Sequence, residues 1–193
     1  MKRVLAFSTV ILLSLALATE ARAQKNDIGF TLGGYFAASS PLDIGAAWAI
    51  EGSYAYRLAH VPLVSLSAEL PIAGSFKSSI PTLNGLTLVR NYSTLFITPG
   101  LRARLAPSFP ISPYISAGLG YGRFNRQLYN GTSGADGEFA FDIGGGVDIK
   151  ILPFVSLRGE VRDFNSGSAS LLSLLPTGRQ NNIFVTLGVG VRF

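Results

Sequence analysis

Apolar residues alternate with small or polar residues along most of this chain, and this period of two constrains the fold more than any other feature. In the last run, Ile183, Val185 and Leu187 alternate with Thr186 and Gly188. Successive side chains of a β-strand point to opposite faces, so alternation indicates a strand with one apolar face. Eight runs follow this pattern: Ile28 to Ala37, Ala46 to Arg57, Leu63 to Ile72, Asn91 to Leu105, Pro113 to Phe124, Phe139 to Lys150, Phe154 to Phe164 and Asn182 to Phe193. The sequence therefore predicts an all-β fold of eight strands.

The connections between these runs alternate in length. Short connections contain "LAHVP", "APSFPI" and "LP". Long connections, rich in Ser, Asn and Gly, are Ser39 to Gly45, Ala73 to Leu86, Asn125 to Glu138 and Asn165 to Asn181. Such an order is typical of an antiparallel up-and-down barrel whose two ends face different environments. Pro99 lies inside the fourth run and cannot donate a ladder hydrogen bond, which predicts a bulge or a local break there.

The first residues have the features of a secretory signal peptide. Lys2 and Arg3 precede the apolar run "VLAFSTVILLSLALA", and small residues follow at Ala21 and Ala23. The apolar run has about 15 residues, whereas a membrane-spanning helix needs about 20. We therefore expect cleavage after Ala23, with residues 1–23 as the signal peptide and residues 24–193 as one barrel domain.

Composition narrows the function classes further. Cysteine is absent from a chain predicted to be exported, so no disulfide can stabilise it. The 22 glycines disfavour helices, because an interior glycine destabilises a helix by about 1 kcal/mol. The net charge of +5 is modest, and export to an extracytoplasmic compartment argues against nucleic acid as a partner.

Alternation alone fits two barrels of opposite polarity. A soluble lipocalin-like barrel turns its apolar face inward, whereas a membrane barrel turns that face toward lipid. Glycine on a solvent-exposed strand face would only weaken the strand, but inside a narrow barrel it leaves room for long charged side chains. We expect interfacial aromatic girdles on the outer surface. They would consist of Trp48 near the long-loop end, Tyr54 and Tyr56 near the short-turn end, and Tyr121. These features favour the membrane barrel.

The interior of an eight-stranded barrel is just wide enough for its own side chains. Unpaired charges away from water are costly, so the charges on the polar face are expected to pair. The predicted interior ionic network consists of Glu51, Glu69, Arg102, Arg104, Asp142, Arg158, Glu160 and Arg162. It is interpreted as a polar plug, and a narrow ion path is the alternative.

Several segments resemble the small eight-stranded outer-membrane β-barrel proteins of the OmpA and OmpX type, often labelled porin-like. The resemblance is carried by the signal peptide and by "SLRGEVRDF", "ITPGLRARL", "PYISAGLGYGRF" and "VTLGVGVRF". It implies a transmembrane barrel in the outer membrane of a Gram-negative bacterium, in contact with lipid and lipopolysaccharide. It also implies that the barrel assembly machinery reads a C-terminal signal formed here by Leu187, Val189, Val191 and Phe193.

The function predicted from these observations is a structural or surface-interaction role, without enzymatic activity or cofactor. The single histidine, His60, is expected in a short periplasmic turn, away from any extracellular serine with which it could act. The long loops, including the apolar stretch from Leu171 to Leu175, are the candidate sites for an extracellular ligand or surface. Alternatives are a narrow channel or conduit for small, possibly apolar, solutes, a soluble periplasmic ligand-binding barrel, and a lipid A-modifying enzyme.

Overall fold

The structure, a computed structural model, describes residues 25–38, 46–78, 89–128, 133–167 and 179–193. Alternating sequences form nine strand segments in these ranges: β1 (Asn26–Ala38), β2 (Ala46–Val61), β3 (Val64–Ser78), β4 (Val89–Ile97), β5 (Gly100–Leu105), β6 (Ile111–Leu128), β7 (Ser133–Lys150), β8 (Val155–Gly167) and β9 (Arg179–Arg192). The predicted signal peptide and the stretch from Leu171 to Leu175 lie outside the described residues.

All strand pairings are antiparallel, and they close into a ring. The segments β4 and β5 each pair with β3 and β6, every other strand pairs with its neighbours along the chain, and β1 pairs with both β2 and β9. At this seam the backbones of Asn26 and Phe193 exchange two hydrogen bonds, of 2.9 and 3.0 Å. The segments β4 and β5 are two halves of one strand, so the ring has eight strands. The predicted eight-stranded up-and-down barrel is confirmed.

Pro99 breaks the fourth strand without shifting its register. Ile97 faces Tyr121 of β6 and Gly100 faces Gly118. The two pairs are therefore three positions apart on both strands. The amide of Leu119 still donates to the carbonyl oxygen of Pro99 at 3.1 Å. The interruption is therefore a local break and not a bulge, and the ladder resumes in the same register.

Three sequence-based predictions about connections are wrong. A long connection was expected from Ala73 to Leu86, but β3 continues to Ser78, which lies opposite Asn91 of β4. The segment Asn125 to Glu138 was expected to be a long loop, but β6 extends to Leu128 and β7 begins at Ser133, with continuous pairing up to Gln127 opposite Ser133. His60 was expected in a turn, but it lies in β2, which ends at Val61, and the turn consists of Pro62 and Leu63. In all three places, backbone pairing continues through a composition that is typical of loops.

The apolar side chains point outward and the charged ones inward. Ile115 and Leu187 are 69% and 68% exposed, whereas Arg158 and Asp148 are fully buried. A soluble protein rarely exposes a continuous apolar surface of this extent, whereas a membrane barrel presents such a surface to lipid. The soluble alternative required the apolar face inside and is therefore wrong.

Glycines allow close approaches at two places that matter for this polarity. A Cβ atom on Gly29 would lie 2.3 Å from Nη1 of Arg158, so the glycine leaves room for a buried guanidinium. A Cβ atom on Gly188 would lie 2.0 Å from the carbonyl oxygen of Phe30, across the seam between β9 and β1. Glycine on the inner face thus serves both the charged interior and the closure of the ring.

The two ends of the barrel are named here by their connections. The turn end carries Lys25, Phe193 and the connections β2–β3, β5–β6 and β7–β8. The opposite, loop end carries the segments 39–45, 79–88, 129–132 and 168–178, which lie outside the described residues. No helix in the described part of the chain is both long and apolar enough to cross a membrane.

Candidate functional site

The lumen is filled by two layers of different chemistry. The ionic layer, toward the turn end, consists of Asp27, Glu51, Glu69, Arg102, Arg104, Asp142, Asp148, Arg158, Glu160, Arg162 and Arg192, all of them buried. The aromatic layer, toward the loop end, consists of Tyr35, Tyr92, Phe96, Phe124, Phe164 and Phe184, each between 0% and 4% exposed. The strands β1, β8 and β9 and the broken strand formed by β4 and β5 contribute inward-pointing residues to both layers.

Two aspartates organise the part of the ionic layer nearest the turn end. Asp27 of β1 accepts hydrogen bonds from Arg104 at 2.7 Å, Arg158 at 2.8 Å and Arg192 at 3.2 Å. Asp148 of β7 forms ion pairs with the same three arginines at 2.7 to 2.8 Å. Two carboxylates, from strands that β8 and β9 separate in the ring, thus share three guanidinium groups from β5, β8 and β9.

Arg162 of β8 organises the other part of the ionic layer. It pairs with Glu69 at 2.9 Å and Asp142 at 2.7 Å, and it donates from Nε to Glu160 at 2.7 Å. Arg102 joins the two parts, since it binds Glu69 and lies 3.8 Å from Asp27. A single connected network therefore crosses the lumen.

Tyr114 of β6 supports this network with its ring and its hydroxyl group. The hydroxyl group donates to Glu160 at 2.7 Å. The guanidinium of Arg102 lies 4.5 Å from the centre of the ring, within the range of a cation–π interaction. The guanidinium groups of Arg158 and Arg104 lie 5.5 and 5.9 Å from the same ring centre, so the tyrosine contacts one acidic and three basic members of the layer.

Glu51 of β2 is the exception in the ionic layer. Its side chain is 2% exposed, yet neither carboxylate oxygen accepts a hydrogen bond from the described residues, and its one ion pair is with Nε of Arg162 at 3.3 Å. The layer contains six carboxyl groups and five guanidinium groups. Glu51 is thus the acid with the weakest electrostatic compensation.

The structure brings the predicted network residues together. Glu51, Glu69, Arg102, Asp142, Glu160 and Arg162 form one part, while Arg104 and Arg158 lie in the other. The predicted set omits Asp27, Asp148 and Arg192, which complete that second part. Their positions on the inward-facing side of the alternation were the signal that could have identified them.

The aromatic layer is packed ring against ring. Phe96 of β4 stacks on Phe164 of β8, with ring centres 4.7 Å apart and an angle of 16° between the rings. Phe184 of β9 meets Phe164 edge to face at 5.1 Å and Tyr35 at 5.2 Å. Such pairs add to the hydrophobic gain from burial. Strands from opposite sides of the ring therefore meet directly across the lumen.

Polar groups cover the aromatic layer at the loop end. The hydroxyl group of Tyr35 donates to Oδ1 of Asn182 at 2.8 Å, and Nδ2 of Asn182 donates to the carbonyl oxygen of Phe164 at 2.8 Å. Ser166 and Gln180 are buried beside Asn182 and hydrogen-bonded to it. The aromatic layer was not predicted, because the lumen was expected to contain polar and small residues, and no specific prediction was made for this polar cover.

The residues of the predicted girdles all point outward. Trp48 is 69% exposed and faces Phe76 near the loop end. Tyr54 and Tyr56 lie near the turn end, where the hydroxyl group of Tyr54 donates to Asn26 at 2.8 Å. Tyr121 of β6 is 51% exposed and lies opposite Ile97 of β4. The four aromatic residues thus lie at different levels of the outer surface.

The residues of the predicted C-terminal signal lie on the outer face of β9 and at its end. Leu187, Val189, Val191 and Phe193 are 68%, 45%, 38% and 54% exposed. The strand is paired with β1 on one side and β8 on the other. In the closed barrel, these side chains face the surroundings and not the lumen.

The described residues do not form a recognisable metal centre or catalytic arrangement. No group of three or more His, Cys, Asp or Glu side chains in these ranges has the geometry to hold a metal ion. His60 is exposed at the turn end of β2, far along the strand from the aromatic layer. The side-chain interactions in the described lumen are therefore mainly ion pairs and aromatic packing.

Known proteins share this architecture. Residues 8–193 match the family model of the outer membrane protein beta-barrel domain. Neisserial surface protein A is similar in structure, with 17% identity, a TM-score of 0.61 and coverage of 88% of this chain and 97% of that chain. The attachment invasion locus protein Ail of Yersinia pestis has 14% identity, a TM-score of 0.53 and coverages of 87% and 96%.

A third structural relative is an enzyme. The outer membrane enzyme PagL has 15% identity, a TM-score of 0.54 and coverage of 86% of this chain and 99% of that chain. A search of curated proteins by sequence found no match. Identities this low show a common fold, whereas the family match extends over nearly the whole chain. This protein belongs to the outer membrane protein beta-barrel domain family and is an antiparallel barrel of the bacterial outer membrane.

Proposed function

We propose that this protein is a closed outer-membrane barrel with a structural or surface-interaction role, whose interior maintains the barrel and does not conduct solutes. The carrying observation is the aromatic layer, in which Phe96, Phe164 and Phe184 meet across the lumen with ring centres 4.7 to 6.0 Å apart. Rings in contact leave no room for a hydrated ion to pass between them. The connected ion pairs beneath this layer support the same conclusion.

A role at the outer surface follows from a closed interior. Short turns of bacterial outer-membrane barrels face the periplasm, and longer loops face outward, so the loop end is the extracellular end. Binding residues in rigid scaffolds concentrate on loops. An extracellular ligand or surface would therefore contact the segments 39–45, 79–88, 129–132 and 168–178, which lie outside the described residues.

We propose that the protein is not an enzyme, although an outer membrane enzyme shares its fold. A serine or cysteine nucleophile of the common type needs a nearby base, usually histidine. The single histidine, His60, is at the turn end, which is the periplasmic end, and cysteine is absent. Incubation of the purified barrel with lipid A should therefore leave its acyl chains unchanged, and release of a fatty acid would contradict this proposal.

The C-terminal strand is proposed as the signal for assembly. Leu187, Val189, Val191 and Phe193 alternate outward, where another protein could contact them before the ring closes. Deletion of Phe193 should reduce the folded, heat-modifiable form in outer-membrane fractions. Phe109→Ala, which removes an exposed phenylalanine from a turn at the same end, is the matched control. Equal yields from the deletion and the wild type would contradict the assembly role.

Conductance tests the closed interior. The wild-type barrel in planar lipid bilayers should show no steady single-channel current, and liposomes that contain it should not swell in sugar or amino-acid solutions. The double variant Phe96→Ala/Phe164→Ala removes the stacked pair but leaves the ion pairs beneath it, so it should also show no steady current. A steady current through the wild type would instead support the narrow-channel alternative.

A further inference from the structure

A pocket lies at the periplasmic rim of β2, outside the two layers of the lumen. It is lined by Lys25, Tyr56, Arg57, Leu58, Ala59 and His60 and has a volume of about 340 Å³. Three basic side chains thus share one pocket with Tyr56 and Leu58, which are 40% and 56% exposed on the outer surface. These six residues form the rim pocket.

A β-bulge builds the rim pocket. The pairing of β2 with β3 shifts between Arg57 and Ala59, so that Leu58 is an extra residue without a partner. Beyond the bulge, His60 faces Ser65, which is buried on the inner face of the barrel. Without the extra residue, simple alternation would turn His60 toward lipid. The bulge therefore puts His60 on the same side as Arg57, at the mouth of the lumen.

The backbone also fixes Lys25 beside this bulge. The amide of Arg57 donates to the carbonyl oxygen of Lys25 at 2.7 Å. Asn26, the next residue, faces Tyr56 in the register of β1 and β2. The N-terminal end of β1 and the bulged end of β2 thus hold two cationic residues side by side.

The positive charges of the rim pocket lack partners within the described part of the chain. Lys25 and Arg57 form no ion pair there, and the His60 side chain forms no hydrogen bond. Asp27, the carboxylate that interacts electrostatically with Arg57, already pairs with four arginines. By contrast, Lys150 at the same end donates to the carbonyl oxygen of Pro107 at 2.6 Å. The rim pocket is thus a local excess of positive charge.

We propose that the rim pocket binds the phosphate of an anionic phospholipid in the periplasmic leaflet. Guanidinium and ammonium groups form charge-assisted hydrogen bonds with phosphate oxygens. The glycerol and the first part of the acyl chains would contact Tyr56 and Leu58, which lie on the lipid-facing side of the same pocket. Basic residues and tyrosine at the membrane interface suit an amphipathic anion of this type. This inference goes beyond the proposed function, since a closed barrel needs no bound lipid.

The test measures lipid retention by the folded barrel. Wild type in detergent is titrated with phosphatidylglycerol, and bound lipid is counted by native mass spectrometry. One tightly bound phosphatidylglycerol is expected. The double variant Lys25→Gln/Arg57→Gln should weaken its binding by about tenfold or more, since two charge-assisted contacts are lost. Migration of unheated samples on a gel verifies that each variant is folded.

The control and the competing ligand make the result decisive. Lys150→Gln removes one charge from the same rim, outside the pocket, and should leave binding unchanged. The proposal is overturned if the wild type retains no lipid, or if the double variant binds as the wild type does. Equal weakening by Lys150→Gln would indicate general attraction to the rim and would also overturn it. Inorganic phosphate alone, bound as tightly as the lipid, would identify a free-phosphate site instead.

Discussion

The turn-end and loop-end halves of the lumen lie within one ring of eight strands, yet they are filled by opposite chemistry. In the ionic layer, Arg162 and Arg158 are each surrounded by carboxylates at hydrogen-bonding distance. In the aromatic layer, Phe96 and Phe164 meet by van der Waals contact alone. A buried ion pair adds little stability, but losing one partner leaves a buried charge uncompensated. The two halves should therefore respond differently to substitution.

The largest effect is expected from Arg162→Met. The substitution leaves four carboxyl groups, those of Glu51, Glu69, Asp142 and Glu160, without their shared cation. The free energy of unfolding should fall by about 3–5 kcal/mol. Urea unfolding in lipid vesicles, followed by the fluorescence of the single tryptophan, measures this loss. Arg123→Met, at an exposed position in β6, is the control, and equal effects of the two variants would refute the ionic layer.

The aromatic layer should lose less when one ring is truncated. Phe164→Ala removes the partner of Phe96, Phe184 and the Arg162 side chain, and should lower the free energy of unfolding by about 3 kcal/mol. The same urea titration measures it. Phe139→Ala removes a ring that is 58% exposed on the outer surface, where lipid can fill the space, and should cost less. A larger loss for Phe139→Ala would contradict the packed layer.

Two glycines, Gly29 and Gly52, differ in the space that is available for an added methyl group. Gly29→Ala would push a Cβ atom to 2.3 Å from Arg158 and should destabilise the barrel by about 1–3 kcal/mol. Gly52→Ala introduces the same methyl group at a position with no atom within 4 Å, and should be nearly neutral. Thermal unfolding of the two variants distinguishes them. If they behave alike, the inner glycines are not needed to make room for guanidinium groups.

The smallest effect is expected from Glu51→Gln. Both oxygens of Glu51 lack hydrogen bonds from the described residues, so the loss of its charge should change the free energy of unfolding by less than about 1 kcal/mol. Glu69→Gln is the matched variant, and it should cost about 1–3 kcal/mol because Glu69 binds both Arg102 and Arg162. Urea unfolding compares the two. A greater loss for Glu51→Gln would mean that the charges are balanced differently.

The strand pattern was predictable from sequence because face alternation is a local property. Eight runs and their inward and outward faces agree with the described strands, and even the break at Pro99 follows from its missing amide hydrogen. The ionic network was predictable in kind, since charges inside a narrow barrel must pair. The predicted set omitted Asp27, Asp148 and Arg192, although the alternation places them on the inner face. Which of the inner charges meet across the lumen was not predictable, because spacing along one strand does not encode distances between strands.

The aromatic layer was not predictable by the same reasoning. Phe96 lies between Leu95 and Ile97, so three apolar residues in a row conceal the inward direction of the middle one. His60 was misplaced because the bulge after Arg57 reverses the alternation. The length of the β6–β7 hairpin was underestimated because its glycines and polar residues are typical of a loop. The backbone hydrogen bonds of a hairpin do not depend on these side chains.

The accessibility of the aromatic layer to water tests the two-layer account most directly. The chain has no cysteine, so Ala140→Cys places a single thiol beside Phe96 and Phe164 in the buried cluster, and His60→Cys places one at the exposed periplasmic end. A charged thiol reagent should label His60→Cys rapidly and leave Ala140→Cys unreacted in the folded barrel. Comparable labelling of both cysteines would mean that water reaches the middle of the lumen, which would contradict a closed barrel.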